Sequence, residues 1–396
     1  MLFRSHVGLY AGASAFACVQ ASCKALQHGK FDGLWRDFVQ RQFAAASQSN
    51  WFEGCATWKQ RYRANCALDA NWLNVNYTMR EVAFEAKDDE SLGPCCALAC
   101  CGDRLAAAFV DAVVLLDMAS GKQLHRLSTR SECLAFPQPN RLLIANYTVA
   151  KLWDLDADGA PSLLREFRGH DGEICAMAVR SDRKLVISAS LDNTVRVWNL
   201  ESGQCVRVLR GHSDSLIAVD VDVGGGRVFS SDWNNRLLVS DLATGEVRNR
   251  VQLSSPAESL CFHADSQRLS LDDSRSASVF LRSLMNCCSG QMLSWTEAEG
   301  ITEHNVGTFV SLMTIRRNHL VVMSPFSVHL VQPGSYKQLA TLWVAPKPSQ
   351  SQTTGASEST VVRTSTASFA CNDRFLVVIT HPANRLYICD FLLGAS

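Results

Sequence analysis

The chain has 396 residues, of which 47% are apolar, and its 38 basic and 38 acidic side chains leave a formal net charge of zero. That length is too great for one ordinary compact domain unless the fold is a repeat array or a large β structure. The balanced charge excludes a protein held mainly by nucleic-acid phosphates, which calls for a basic surplus or a basic patch.

Residues 1 to about 76 read as helical. Phe16, Val19, Cys23 and Leu26 fall at steps of three and four, one face of a helix. Leu34, Trp35, Phe38, Val39 and Phe43 continue the rhythm. Trp58, Tyr62, Cys66 and Trp72 extend it, with basic residues between them. The first residues mimic a secretory leader, with Arg4 before an apolar stretch and small residues at Ala15 and Ala17. His6, Gly8, Gly12 and Ser14 dilute that stretch, so a cytoplasmic or nuclear chain is expected. No 18-residue apolar run predicts a membrane span. The 16 cysteines form no disulfide framework, which fits a reducing compartment.

From about residue 80 the rhythm changes to short alternating runs bounded by Gly, Asp, Asn and Ser, each read as strand, turn, strand. The turns "MASGKQ", "LESGQC" and "LATGEV" are equivalent and carry Gly121, Gly203 and Gly245. "FRGHDG" and "LRGHSD" place His170 and His212 42 positions apart, the same interval as Gly203 and Gly245. Repetition at 40 to 45 residues with four short strands per unit predicts an all-β propeller. Candidate repeats fall at 92–128, 129–169, 170–211, 212–254, 255–305, 306–347 and 358–394, giving seven blades. "MREVAFEA" at 79–86 is placed to supply the outer strand of the last one, which removes an exposed edge. The low-complexity stretch 345–360 reads as a loop between the last two blades, and 286–305 as an insertion.

From His170 to His212 the chain resembles a full WD repeat. The resemblance implies a buried network of His170, Ser188 or Ser190, Asp192 and Trp198, because a buried imidazole, carboxylate and indole each need partners. "IANYTVAKLWDL" is a second match, with Tyr147 at the acid position. In the next repeat His212 is kept, but Asn234 stands at the acid position and Ser240 at the tryptophan position, so that network is expected to be incomplete. The N-terminal part resembles an F-box, with Cys23 and Leu26 near its C-x-x-L position and Leu34-Trp35 at its end. The Leu-Pro pair and first helix of that motif are missing, so the F-box is expected to be N-terminally truncated or degenerate. Residues 1–45 are thus a partial F-box-like helical region, 46–78 a helical connector and 79–394 the propeller. The whole resembles the F-box and WD-repeat domain-containing family.

Other apparent chemistry has a plainer explanation. "DLDADG" at 154–159 opens like a calcium loop, but Arg165 stands where that loop needs Glu. The cysteines of "CCALACC" at 95–101 alternate across a strand and cannot converge on one zinc. Asn76 and Asn146 stand in glycosylation sequons. No phosphate loop or nucleophile elbow is visible. No metal, no cofactor and no catalytic residue is expected, nor any nucleic-acid or membrane partner.

The resemblance implies a substrate-recognition subunit of a cullin-RING (SCF-type) ubiquitin ligase. Its adaptor contacts would come from Phe16, Val19, Cys23, Leu26, Leu34 and Trp35. Its propeller face would come from Arg168, Leu191, Arg210 and Trp233, with Asn146 equivalent to Leu191 in the preceding blade. Arginine suits an acidic or phosphorylated target protein. Partners would then be the SCF adaptor, the cullin scaffold and that target. The alternative is a WD-repeat interaction scaffold without adaptor binding.

Overall fold

The computed structural model describes Trp35, Arg36 and Val39, then 57–82, 84, 93–131, 133–156, 160–180, 184–222, 224, 226–254, 256–263, 268–272, 291–305, 312–316, 319–324, 327–332, 335–344, 365–381 and 385–392. Two compact units divide the chain: Met1–Tyr77 with Phe391–Ser396, and Thr78–Asp390.

In the first unit, helix α1 (Trp58–Leu73) starts at a capping box, with Thr57 Oγ1 accepting Gln60 N–H and Gln60 Oε1 accepting Thr57 N–H. Its buried residues Asn65, Leu68 and Trp72 recur at three and four. Trp72 stacks on Phe391 at 3.9 Å, and Asn71 Nδ2 donates to Phe391 O at 2.9 Å. Trp58, Tyr62 and Cys66 pack around Val39. Trp35 is only 2% exposed and lies against Tyr62, with ring centroids 5.3 Å apart. No helix among the described residues is long and apolar enough to cross a membrane.

The second unit opens with β1 (Thr78–Val82) and then builds blade after blade. Blade 1 is β2 (Cys95–Cys101), β3 (Arg104–Phe109), β4 (Val113–Asp117) and β5 (Gln123–Leu127). Blade 2 is β6 (Cys133–Gln138), β7 (Arg141–Asn146), β8 (Val149–Asp154) and β9 (Ser162–Phe167). Blade 3 is β10 (Ile174–Arg180), β11 (Leu185–Ser190), β12 (Val195–Asn199) and β13 (Cys205–Leu209). Blade 4 is β14 (Leu216–Val221), β15 (Arg227–Asp232), β16 (Arg236–Asp241) and β17 (Val247–Gln252). Blade 5 is β18 (Leu260–His263), β19 (Arg268–Asp272), β20 (Gln291–Thr296) and β21 (Gly300–Asn305). Blade 6 is β22 (Leu312–Arg316), β23 (His319–Ser324), β24 (Ser327–Val331) and β25 (Gln338–Val344). Blade 7 is β26 (Ser365–Cys371), β27 (Phe375–His381) and β28 (Arg385–Asp390).

Among the described residues there are seven four-stranded antiparallel sheets, and their first strands neighbour one another all the way round, β26 beside β2. β1 pairs with β28, Thr78 opposite Asp390 through Val82 opposite Leu386, and so completes the last blade. The fold is the expected seven-bladed propeller. Residues 291–305, expected as part of an insertion, are instead the third and fourth strands of blade 5. The stretch 345–360 lies outside the described residues.

Middle strands are buried on both faces, as in β3 and β15, while β17 alternates with one face out. In the outer strands of blades 1, 2 and 3 a β-bulge leaves one residue unpaired, and in blade 6 two bulges leave two. Leu124, Leu164, Val206 and Leu339 are exposed at these bulges, while Leu342, the other unpaired residue of blade 6, is buried. On β2, Cys95 is buried, Cys96 exposed and the remaining residues half-buried.

Arginines clasp successive blades. Arg80 Nη1 on β1 donates to Ala119 O in blade 1 at 2.7 Å. Arg165 Nε on β9 donates to Glu201 O in blade 3 at 2.6 Å, and Arg207 Nη1 on β13 to Thr244 O in blade 4 at 2.7 Å. Each accepting turn holds one of the repeated glycines, with φ of 75°, 75° and 82°. At Gly245 a Cβ would lie 2.9 Å from Arg207 Cδ, so glycine serves both the left-handed turn and the approach of the arginine stem.

Candidate functional site

The site is built on the turns joining second and third strands in blades 2 to 4. In blade 3, His170 Nδ1 meets Asp192 Oδ2 at 2.6 Å and Nε2 meets Ser188 Oγ at 2.8 Å. Trp198 Nε1 donates to the same Ser188 Oγ at 2.8 Å. An ionised Asp192 makes Nδ1 the donor, so Nε2 accepts from Ser188. Asp192 Oδ1 also accepts the N–H and the hydroxyl of Thr194, and Oδ2 the N–H of Asp171. The serine in the network is therefore Ser188; Ser190 instead donates to Gly172 O and accepts Asp192 N–H. A Cβ on Gly172 would lie 2.6 Å from Asp192 N, which explains the glycine after "HD". Burial lowers the pKa of His170 against the pull of Asp192. Burial also opposes ionisation of Asp192, but hydrogen bonds from Thr194 and His170 outweigh it and hold the carboxyl below its ordinary value.

Blade 4 corrects one expectation. His212 Nδ1 meets Asp232 Oδ2 at 2.7 Å and Nε2 meets Ser230 Oγ at 2.7 Å. Repeat spacing points to Asn234, but the carboxylate comes from the end of β15, two residues earlier. Asp232 Oδ1 still secures the turn by accepting Arg236 N–H at 2.9 Å. Only the indole is missing, with buried Ser240 in its place. In blade 2, Ile144 occupies the register of Ser188, and Trp153 Nε1 is buried without a partner among the described residues. Asp, His and Ser are linked as in a hydrolase triad, yet Ser188 and Ser230 are buried and the former is capped by the indole.

These networks leave one large apolar residue exposed at each turn: Tyr147 (51%), Leu191 (42%) and Trp233 (49%). The exposed tip in blade 2 is Tyr147; Asn146 ends the strand and its side chain donates to Thr129 Oγ1. A chain of hydrogen bonds ties the three tips together. Ile174 N–H donates to Tyr147 O, Leu191 N–H to Glu173 O, Ser215 Oγ to Leu191 O, and Trp233 N–H to Ser215 O. Asn193 and Asn235 take the left-handed position of their turns, a conformation asparagine tolerates.

Cations flank the tips. Arg168 is exposed and paired with Glu166 at 2.5 Å. Arg210 is exposed and has no ion pair or hydrogen bond among the described residues. Sequence reasoning missed four others. Arg130 lies over the Tyr147 ring, 5.0 Å from its centroid, and donates to its hydroxyl. The Arg196 guanidinium lies over Trp198, with Nε unpartnered. Arg236 donates to Ser213 Oγ, and Arg236 and Arg250 both lower the pKa of His212, after burial, which is the larger cause. The signal was available, since Arg196 sits two residues before the repeat tryptophan. Of the expected adaptor contacts, Phe16, Val19, Cys23, Leu26 and Leu34 lie outside the described residues. Trp35 is turned into the helical unit. Asp156 of the calcium-like stretch pairs with Arg104.

Comparison with known proteins agrees with this architecture. The "WD domain, G-beta repeat" family model matches residues 161–199 and 203–241. Each match takes the outer strand of one blade with three strands of the next. Autophagy-related protein 16 of Arabidopsis thaliana is 34% identical over 29% of this chain and 22% of its own length. Polycomb protein esc of Drosophila melanogaster is 27% identical over 31% of this chain and 33% of its own. F-box/WD repeat-containing protein 10 of Mus musculus is 33% identical over 20% of this chain and 8% of its own. The matches thus span a third or less of each of these relatives. This chain thus carries WD repeats: two matched repeats are set within seven four-stranded sheets, and blade 3 has the His–Asp–Ser–Trp network in place.

Proposed function

We propose that the propeller is a protein-interaction module and that its binding face is the line of Tyr147, Leu191 and Trp233 with the arginines around it. The observation that carries this reading is three half-exposed apolar tips on successive blades, joined by one hydrogen-bond chain. Large apolar side chains on rigid turns are the usual anchors of interfaces, and Trp, Tyr and Arg are enriched at hot spots. Arg130, Arg196, Arg210, Arg236 and Arg250 suit an acidic or phosphorylated segment, because guanidinium forks match carboxylate and phosphate oxygens. The module holds its target and does no covalent chemistry.

The finer reading is a substrate receptor of a cullin-RING ligase, which acts by proximity and raises the effective concentration of target near the ubiquitin-charged enzyme. Similarity to an F-box/WD-repeat protein supports it. The scaffold reading is favoured by the burial of Trp35 and by a family match confined to the repeats. Co-purification of the full chain with the ligase adaptor and cullin separates the two: a stoichiometric complex supports the receptor, and its absence leaves the scaffold. A folded Trp233→Ala, Arg210→Ala double variant tests the face. Loss of captured partners is expected, and undiminished capture would exclude it.

A further inference from the structure

A carboxylate without a cation joins blades 4 and 5. Asp220 Oδ1 accepts the N–H of its own neighbour Val221 at 2.7 Å, and Oδ2 accepts the N–H of Phe262 on β18 at 2.7 Å. Among the described residues no cation forms an ion pair with it. Two residues along the chain, Asp222 acts electrostatically on Asp220 and is held by Arg227 through Nε at 3.0 Å and Nη2 at 2.8 Å. From β18 the Cys261 thiol lies close enough for Asp220 to raise its pKa, with Cys371 beyond it; His263 ends that strand. On the other side β10 brings the Cys175 thiol, bonded to Leu216 O at 3.0 Å, and ends in Arg180. Opposite Asp220 on β15 is Phe229, which stacks on Phe262 at 4.9 Å under the Arg227 guanidinium.

We propose that Asp220 is a proton-operated clasp between blades 4 and 5: ionised, it holds both N–H groups, and protonated, it keeps the local Val221 link and gives up Phe262. A neutral carboxyl has one good acceptor oxygen where the carboxylate has two, and the bond to the adjacent residue survives most cheaply. Burial raises the Asp220 pKa to about 6; the Phe262 and Val221 amides pull it down, and Asp222 pushes it up. The folded pKa lies above the unfolded value of about 3.9. The folded chain therefore takes up a proton as pH falls through about 6, and the stability this gives is lost as pH rises through the same value. Acid thus favours the whole fold through this group while loosening one seam.

The test is nuclear magnetic resonance on the full chain labelled with 13C at aspartate carboxyls and 15N at phenylalanine, between pH 7.5 and 5. The expected result is a shared midpoint near pH 6 for the Asp220 carboxyl and the Phe262 amide, absent from the Phe262 amide in Asp220→Asn. A carboxyl that stays ionised down to pH 5, as an ordinary aspartate with a pKa of about 3.9 does, or a Phe262 amide that ignores the carboxyl's titration, overturns the clasp. So does an unchanged Phe262 titration in Asp220→Asn. If that variant does not fold, the two wild-type midpoints decide.

Discussion

Removing the Asp192 carboxylate should lower the stability of the propeller more than removing Asp232, although both serve a His–Ser pair. Asp192→Ala takes acceptors from His170 Nδ1–H, Asp171 N–H, Thr194 N–H and Thr194 Oγ1–H. Asp171 is exposed and its amide can turn to water, and the Thr194 hydroxyl can rotate. Two buried donors remain, His170 Nδ1–H and Thr194 N–H, at about 1–3 kcal/mol each. A loss of about 3 kcal/mol corresponds to a fall in Tm of about 4–5 °C for a propeller running from Thr78 to Asp390. Asp232→Ala leaves the His212 Nδ1–H and the Arg236 N–H, and the latter belongs to an exposed residue, so about half that loss is expected. Asp192→Asn keeps an acceptor for Thr194 and lets the imidazole switch tautomer, so it should cost about 1 kcal/mol. Thermal and urea unfolding of the full chain measure all three. Equal stability of Asp192→Ala and wild type, combined with lost partner binding, would refute the structural role and make Asp192 a recognition residue.

Trp198→Phe should lose a hydrogen bond worth about 1 kcal/mol, whereas Trp153→Phe removes an N–H that has no partner among the described residues and should cost no hydrogen bond in the same melts. Gly245→Ala forces a left-handed alanine, about 1–2 kcal/mol, and displaces the Arg207 stem; hydrogen exchange should quicken at the turn between β16 and β17. The pKa values of His170, His212 and His329 are lowered chiefly by burial, so the stability they give as neutral rings is present above about pH 6.5 and lost as pH falls towards their folded values. His329→Gln should therefore shrink the fall in Tm between pH 7 and 5, and an unchanged fall would remove His329 from the account.

What the sequence made legible follows from what repeats. Strand–turn–strand units, equivalent glycines and the paired histidines recur because every blade solves the same packing problem, so the propeller and its closing strand β1 could be read before any coordinates. The network around His170 was legible for the same reason, since all its members stand at repeat spacing. Spacing failed where a group reached its partner from another position. Asp232 does the work expected at residue 234, because a carboxylate at the strand end reaches His212 as well as one in the turn. The clasp arginines were illegible because each serves the next blade, and a pattern read within one unit cannot show a contact between two. Trp35 lay on an apolar helix face, which marks burial and binding alike; only Tyr62 beside it shows which use prevails in this structure.

The same displacement bears on where recognition can evolve. In blade 3 the acid stands inside the turn, so Leu191 and Asn193 flank a residue that the fold cannot spare. In blade 4 the acid stands at the end of β15 and holds the turn from outside through Arg236 N–H, beside the backbone bonds Asn235 N–H to Asp232 O and Leu253 N–H to Asn235 O. The side chain of Trp233 is half-exposed, as that of Leu191 is at the same position of blade 3, while its backbone is fixed to Ser215. A rigid turn with a free aromatic side chain loses little entropy on binding, the condition under which an exposed tryptophan makes an effective anchor.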